Sequence, residues 1–483
     1  MASGAGPAAS PGSYYHKEKG NMYDICIIGG GPAGYVGAIR AAQLGFTVAL
    51  CEERDLGGTC LNRGCVPTKA LMHAADAYRS LSAMASMGVY PGQASFDYAK
   101  IHAYKQATVD ELRAGIQQLL QANKVQVIQA RAQVLAPGKV QAGEEILEAK
   151  HILVATGSYP SIPPIPGARE DEDVCTSDAL LEEPDRFYQR LIIIGGGVIG
   201  VEMASVYAGL GCQVTIIEAL DRLLPMMDRE ISQNLSMILK KRGISVYTGA
   251  TVTGIAREEA GLCCSFTTKK GEATALGDGV LISVGRRPNT NGLFAQGCAP
   301  AMERGFIQVD AGYQSSIPGI YGVGDCNGKM QLAHAAEAQA LACVEGIAGK
   351  TPAINPNVVP SCVYTDPEIA CIGITADEAK AQGIPALTGK YVMNGNAKTR
   401  MEQAERSFIK LVFHGESHVL LGAQLMCPRA TDMIGELACG VVNGLTAEQL
   451  LASLRPHPTF MEGVTEAVEA AFGHAIHVMP ARK

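Results

Sequence analysis

Short apolar runs alternate with stretches at helical spacing along most of this chain, and the alternation is repeated. Tyr23-Asp24-Ile25-Cys26-Ile27-Ile28 predicts a strand, a helical pattern then runs to Leu44, and Thr47 to Leu50 predicts a second strand leading to Glu52. The same order returns later, with a strand at Leu191 to Ile194 and another at Val214 to Ile217 leading to Glu218. Between the two copies, Val109 to Ala122 reads as helix and the alternating residues around Val125 to Val140 predict an antiparallel excursion. An apolar strand precedes Ala155-Thr156-Gly157, and another ends at Tyr321-Gly322-Val323-Gly324-Asp325.

These patterns predict an α/β protein with two Rossmann-like dinucleotide-binding domains and an α+β C-terminal unit. Pro160, Pro163, Pro164 and Pro166 mark a linker after the first domain. The expected segments are a disordered leader at 1–22, a first nucleotide domain at 23–155 and a second at 156–284. A stretch at 285–355 completes the first, and a last unit at 356–483 is devoted to assembly. Residues 1–22 are rich in Gly, Ala, Ser and Pro and resemble neither a signal peptide nor a mitochondrial presequence, so Met22 is a plausible natural start.

Each strand-helix-strand copy carries a glycine fingerprint at its turn. In the first it is Gly29, Gly31 and Gly34, with Glu52 following Gly29 by 52 − 29 = 23 positions. In the second it is Gly195, Gly197 and Gly200, with Glu218 following by 218 − 195 = 23. The glycines let backbone approach a pyrophosphate at a helix N-terminus, and the acid accepts hydrogen bonds from a ribose. One such motif is weak; two in register with strand, helix and acid imply two dinucleotides.

Composition narrows the classes. The 483 residues are 47% hydrophobic and 18% charged, with a net charge of −7 and no basic run, which recommends neither nucleic acid nor an anionic membrane as partner. Fifteen cysteines are many for such a chain, yet Cys26, Cys51, Cys212 and Cys371 sit singly in apolar patterns and read as reduced core residues. That usage suits the cytoplasm better than a secreted disulfide scaffold.

One cysteine pair stands apart. In Gly57-Gly58-Thr59-Cys60-Leu61-Asn62-Arg63-Gly64-Cys65-Val66-Pro67-Thr68-Lys69 the thiols are separated by four residues, too many for a zinc or thioredoxin-like pair, so no metal is expected. On a regular helix the two would be about 7.5 Å apart along the axis, beyond the roughly 7 Å Cα separation a disulfide spans. The helix must therefore distort, and Gly64 offers the place.

With these residues assembled, the chain resembles the two-cysteine flavoprotein disulfide reductases over residues 23 to 479, most closely the branch that oxidises dihydrolipoamide. The resemblance rests on the redox segment, both fingerprints, Gly324-Asp325, and His457-Pro458-Thr459-Phe460-Met461-Glu462. It implies FAD at the first fingerprint, with Glu52 on the adenosine ribose, Asp325 on the ribityl chain, and Thr59, Lys69, Thr156 and Gly157 as further contacts. It implies NAD at the second, with Glu202, Glu218 and Gly285 taking part. Glu218 favours NAD over NADP because a carboxylate repels a 2′-phosphate.

The resemblance also assigns chemistry. Cys65 corresponds to the thiolate against the flavin, favoured by the helix start and by Lys69, which pairs with Glu202. Cys60 corresponds to the interchange thiol, His457 to the base for the substrate thiol, and Glu462 to the group that orients the imidazole. In the family the last two come from the partner subunit, so a homodimer with shared sites is implied. The dithiol would arrive on a lipoyl-bearing protein, either a 2-oxo acid dehydrogenase E2 or the glycine cleavage H protein, and the sequence leaves that choice open. Glutathione and trypanothione reductases typically read Val-Pro-Lys-Lys where this chain has Val66-Pro67-Thr68-Lys69, and mercuric reductase ends in a cysteine pair whereas the last cysteine here is Cys439. Arg455-Pro456 and Met461 depart from the usual pattern around the histidine.

Overall fold

The computed structural model describes residues 22–479 apart from 170 and 185. The expected leader therefore lies almost wholly outside the described residues. The chain divides into two compact units, each assembled from three separated segments.

The first unit comprises residues up to Val66, Gln106–Tyr159 and Arg286–Pro356. Its sheet is parallel through Gln126–Gln129, Val48–Glu52, Tyr23–Ile28, Glu145–Val154 and Ile320–Gly322. A hairpin of Ala132–Ala136 and Lys139–Ala142 continues it in antiparallel sense. The antiparallel excursion expected over Val125 to Val140 is thus corrected in its first part. Gln126–Gln129 pairs in parallel with Val48–Glu52 because it emerges from a long helix, Tyr98–Ala122, and a helical crossover returns the chain in the same direction. That helix starts eleven residues before the expected Val109, 109 − 98 = 11.

Ile25, Ile27, Leu50 and Leu153 are fully buried against Ala33, Ala38 and Ala41 of the helix Pro32–Gln43. Small residues on that face let the helix approach the sheet closely. Each buried Leu or Ile contributes about 1.5–3 kcal/mol relative to exposure.

The second unit comprises Pro67–Lys105, Pro160–Gly285 and Asn357–Lys483. It holds a second parallel sheet in the order Ser245–Thr248, Gln213–Glu218, Arg190–Ile194, Gly279–Ile282, Val174–Thr176. A three-stranded antiparallel sheet, Thr251–Glu258, Gly261–Thr268 and Gly271–Gly277, accompanies it. The C-terminal part forms a five-stranded antiparallel sheet ordered Ser361–Val363, Ile369–Gly373, Leu420–Met426, Phe408–His414, Ala386–Val392. Helices Ala430–Val442 and Glu462–Ala471 cover it. Gly389 lets the second of these lie close, since a Cβ there would come within 1.9 Å of the Ala467 carbonyl.

Cys26, Cys51, Cys212 and Cys371 are all buried in these cores. Among the described residues no helix is long and apolar enough to cross a membrane.

Candidate active site

The two glycine loops have the same construction. Gly29 has φ +104°, and a Cβ on Gly34 would lie 1.7 Å from its carbonyl oxygen; Gly195 has φ +112°, and a Cβ on Gly200 would lie 2.0 Å from that of Gly195. Each loop leads into a helix, Pro32–Gln43 or Val198–Gly209, whose first turn has no side-chain cap. The uncapped amides carry the positive end of each helix dipole to its loop, facing open space at Gly197 and bordered by Gly58 at Gly31.

The acids at the ends of the second strands have a further duty. Glu52 accepts from the Gly30 amide at 2.6 Å and the Arg54 amide at 2.7 Å, while Glu218 accepts from Gly196 at 2.6 Å and Leu220 at 2.7 Å. Both are buried. Burial pushes the Glu52 carboxyl above its ordinary range, and the two amides oppose that shift. Each oxygen retains acceptor capacity beyond these bonds, so the same carboxylate can brace its loop and receive a hydroxyl.

The redox segment rests directly on the first loop. Gly57, at φ +90°, donates to the Gly30 carbonyl at 2.9 Å, and a Cβ on Gly58 would meet Gly31 Cα at 2.7 Å. A short helix, Gly58–Arg63, carries Thr59 and Cys60, and a second, Cys65–Ala83, begins at Cys65. The break between them falls at Gly64, the residue expected to permit it. A Cβ there would be 2.9 Å from the Thr59 carbonyl oxygen and 3.3 Å from Cys60 Cα, so the chain folds back on itself and brings the two cysteines near one another. Cys60 is half-buried and Cys65 exposed.

A buried Asn and its polar neighbours fix this short helix. Asn62 donates to the carbonyls of Leu56 at 3.0 Å and Gly58 at 2.9 Å, and Arg113 donates to Asn62 and to Asp55. Sequence reasoning gave Asn62 and Arg113 no role; an Asn set between the two cysteines of a glycine-flanked segment was the available signal.

Asp325 lies at the start of a single turn, Gly324–Asn327, after the strand Ile320–Gly322. It accepts from Ser158 Oγ at 2.5 Å, and Ser158 Oγ in turn accepts from Arg286 Nε at 2.7 Å. Burial raises the Asp325 carboxyl, against the opposing effects of Ser158 and Arg286. Gly324, at φ +74°, sits close to Ala33 and Ala336, which holds this turn against the start of the helix Pro32–Gln43. Thr156 Oγ1 is buried with no hydrogen-bond partner, beside Gly157 at φ +68°. Gly285, at φ +110°, faces open space.

In the second unit Lys69 Nζ donates to Glu202 Oε2 at 2.7 Å, and Glu202 Oε1 accepts from the Tyr364 amide at 3.0 Å. Glu202 is buried. Lys69 follows Cys65 by four positions on one helix, so the two share a face.

His457 Nδ1 lies 2.7 Å from Glu462 Oε1, and Glu462 Oε2 accepts from the Thr459 amide at 2.8 Å. Burial would raise the Glu462 carboxyl, but the Thr459 amide and His457 outweigh it and hold it below its ordinary range. An ionised Glu462 can only accept, so Nδ1 carries the proton and Nε2 presents its lone pair outward on an exposed ring.

The chain is similar to known proteins over most of its length. Residues 23–340 match the profile of the pyridine nucleotide-disulphide oxidoreductases, and residues 359–468 match the dimerisation domain of the same proteins. The chain belongs to that family. Among its relatives, dihydrolipoyl dehydrogenase of Bacillus subtilis is 38% identical over 94% of this chain and 99% of its own length. Dihydrolipoyl dehydrogenase 3 of Pseudomonas putida is 37% identical over 94% and 99%. Of solved structures, LpdA of Mycobacterium tuberculosis superposes with a TM-score of 0.85 at 29% identity, covering 92% of this chain and 99% of that one. The flavoprotein disulfide reductase RclA of Escherichia coli gives 0.82 at 27% identity over 92% and 99%.

The residues present fit the two nucleotides the family uses. Both glycine loops are folded so tightly that a Cβ on Gly34 or Gly200 would strike the loop's own carbonyl, which keeps backbone exposed for a pyrophosphate, and the orphaned Thr156 hydroxyl is a donor waiting beside the first. FAD and NAD are the cofactors of this flavoprotein oxidoreductase.

Proposed function

We propose that the protein oxidises the dihydrolipoyl group of a carrier protein to its disulfide and reduces NAD to NADH. The observation that carries this reading is the His457–Glu462 pair, a base with a fixed tautomer, in a chain that also holds Cys60 and Cys65 across a broken helix. A dithiol substrate needs a proton acceptor before it can attack a disulfide.

His457 Nε2, on the partner subunit of a homodimer, takes the proton of one substrate thiol. The resulting thiolate attacks Cys60 of the Cys60–Cys65 disulfide, forming a mixed disulfide and releasing Cys65 as a thiolate. The second substrate thiol then displaces Cys60, leaving oxidised lipoyl and two reduced cysteines. FAD, when bound, supplies the relay by which that electron pair reaches NAD. Lys69 and the amide end of the helix Cys65–Ala83 favour the Cys65 thiolate, and Glu462 stabilises the imidazolium.

Gly29, Gly31, Gly34, Glu52, Thr59, Thr156, Gly157 and Asp325 hold FAD in this reading. Gly195, Gly197, Gly200, Glu218 and Gly285 hold NAD, with Glu202 next to it. Residues 23–155 and 285–355 then form the flavin domain, 156–284 the NAD domain and 356–483 the dimerisation domain. The carrier is a 2-oxo acid dehydrogenase E2 or the glycine cleavage H protein, and the buried thiols suit a reducing cytoplasm.

Steady-state assays with dihydrolipoamide and reduced glutathione as donors, each with NAD and NADP, test the proposal. Turnover of dihydrolipoamide with NAD at least tenfold above every other combination is expected. Preference for glutathione, or for NADP, would overturn it.

A further inference from the structure

Lys69 and Glu202 are held by a third residue that neither the fingerprints nor the cysteine motif points to. Tyr364 follows the strand Ser361–Val363, and its amide binds Glu202 Oε1 at 3.0 Å. Its ring lies under the Lys69 ammonium, 4.5 Å from Nζ to the centroid. One residue thus touches both members of the ion pair, the carboxylate through its backbone and the ammonium through its π face.

The turn that carries Tyr364 is joined to its surroundings by several polar contacts. Thr365 is buried and donates to the Pro367 carbonyl at 2.9 Å. Asp366 is gripped by Arg242 at 2.6 Å and by Arg79 at 2.8 Å, and Arg79 belongs to the same helix, Cys65–Ala83, as Lys69. The helix is therefore tied to this turn at two places. Burial pushes the neighbouring Cys362 thiol up to about 11, with Glu368 adding to the shift and Lys69 opposing it. A neutral Cys362 leaves the ammonium to Glu202 and the ring.

We propose that Tyr364 is a positioning residue for Lys69. Its aromatic face and its amide fix the ion pair, so the turn at the start of the dimerisation domain governs where the positive charge stands relative to Cys65. This rests on the reading above that Lys69 serves the redox cysteines and the flavin. The role belongs to the ring face and not to the hydroxyl, because an ammonium over an aromatic centroid is attracted by the ring quadrupole.

The test compares Tyr364→Phe and Tyr364→Leu as FAD-loaded dimers. Two quantities are read: kcat against KM for dihydrolipoamide, and the long-wavelength thiolate-to-flavin absorbance at two-electron reduction. Phe is expected to match the natural protein in both. Leu is expected to lower kcat roughly 3- to 30-fold, about 0.6–2 kcal/mol at 1.36 kcal/mol per decade, with KM little changed and the absorbance weakened. In a Lys69→Met background, Tyr364→Leu should have no further effect on the absorbance. Should Leu load FAD poorly, pentafluorophenylalanine at 364 keeps the ring's shape while reversing its quadrupole, and it should reproduce the weakened absorbance. A Leu variant with unaltered kcat and absorbance, a Phe variant as damaged as Leu, or a full effect in the Lys69→Met background would overturn the proposal. If the unmodified protein shows no such absorbance with dihydrolipoamide, it is the underlying functional reading that fails.

Discussion

Gly64→Ala probes the geometry on which the chemistry depends. The added methyl carbon would stand 2.9 Å from the Thr59 carbonyl oxygen and 3.3 Å from Cys60 Cα, and both neighbours are backbone, so neither can swing aside. Relief requires the two helix ends to part by several tenths of an ångström, a displacement comparable to the roughly 0.5 Å tolerance of a preorganised site. Because a misplacement of about 1 Å can cost a hundredfold in rate, a loss of roughly tenfold in dihydrolipoamide oxidation is expected. Overpacking of this kind costs about 1–3 kcal/mol of stability, which leaves the fold intact. Stopped-flow reduction of the FAD-loaded variant by dihydrolipoamide measures the step directly, and urea unfolding measures the stability. Gly115→Ala is the control. It lies in the helix Tyr98–Ala122 with open space where the methyl would go, and it should stabilise by about 0.5–1 kcal/mol without changing the rate. A Gly64→Ala enzyme that is reduced at the unaltered rate would refute the idea that this break sets the thiol positions.

Three further outcomes follow from other parts of the structure. Glu218→Ala removes the acceptor of the Gly196 and Leu220 amides, so NAD binding should weaken and its preference over NADP should shrink, with the visible flavin spectrum unchanged; a retained preference in fluorescence titrations would contradict the role of Glu218. Asp24 is held down to about 2, first by Lys150 and then by the Thr47 amide. A depressed carboxyl gives stability that is complete above its unfolded value near 4 and is lost as pH falls toward 2, so the stability difference between the natural protein and Asp24→Asn should vanish across that window in acid unfolding. Co-expressed, differently tagged His457→Gln and Cys60→Ser chains should form heterodimers with one intact site and about half the normal activity per dimer, whereas purified heterodimers without recovery would place the whole site in one chain.

The architecture was legible wherever function demands a local pattern. Both nucleotide folds could be read from glycines that must approach backbone, and the helix break at Gly64 followed from the span a disulfide allows. What stayed hidden depends on long-range contacts. The parallel sense of Gln126–Gln129 is decided by a helix whose first half carries no strong apolar period, so its start at Tyr98 was missed. The hydrogen bonds that Glu52 accepts from the Gly30 amide and Glu218 from the Gly196 amide join residues 22 positions apart, and nothing in the acid's own neighbourhood announces them. Tyr364 reaches Glu202 across 162 positions. Its surroundings, Val363 and Thr365, read as any strand end.

If Cys60 and Cys65 pass electrons from a dihydrolipoyl dithiol toward NAD, anaerobic reduction of cysteine variants by dihydrolipoamide separates the role of each thiol. Cys60→Ser should keep its FAD and, when reduced with NADH, should retain a thiolate at Cys65, but dihydrolipoamide should not reduce it. Cys65→Ser should keep FAD, lack the long-wavelength absorbance, and likewise resist dihydrolipoamide. Rapid reduction of the flavin in Cys60→Ser by dihydrolipoamide would show that electrons reach it without the Cys60 thiol.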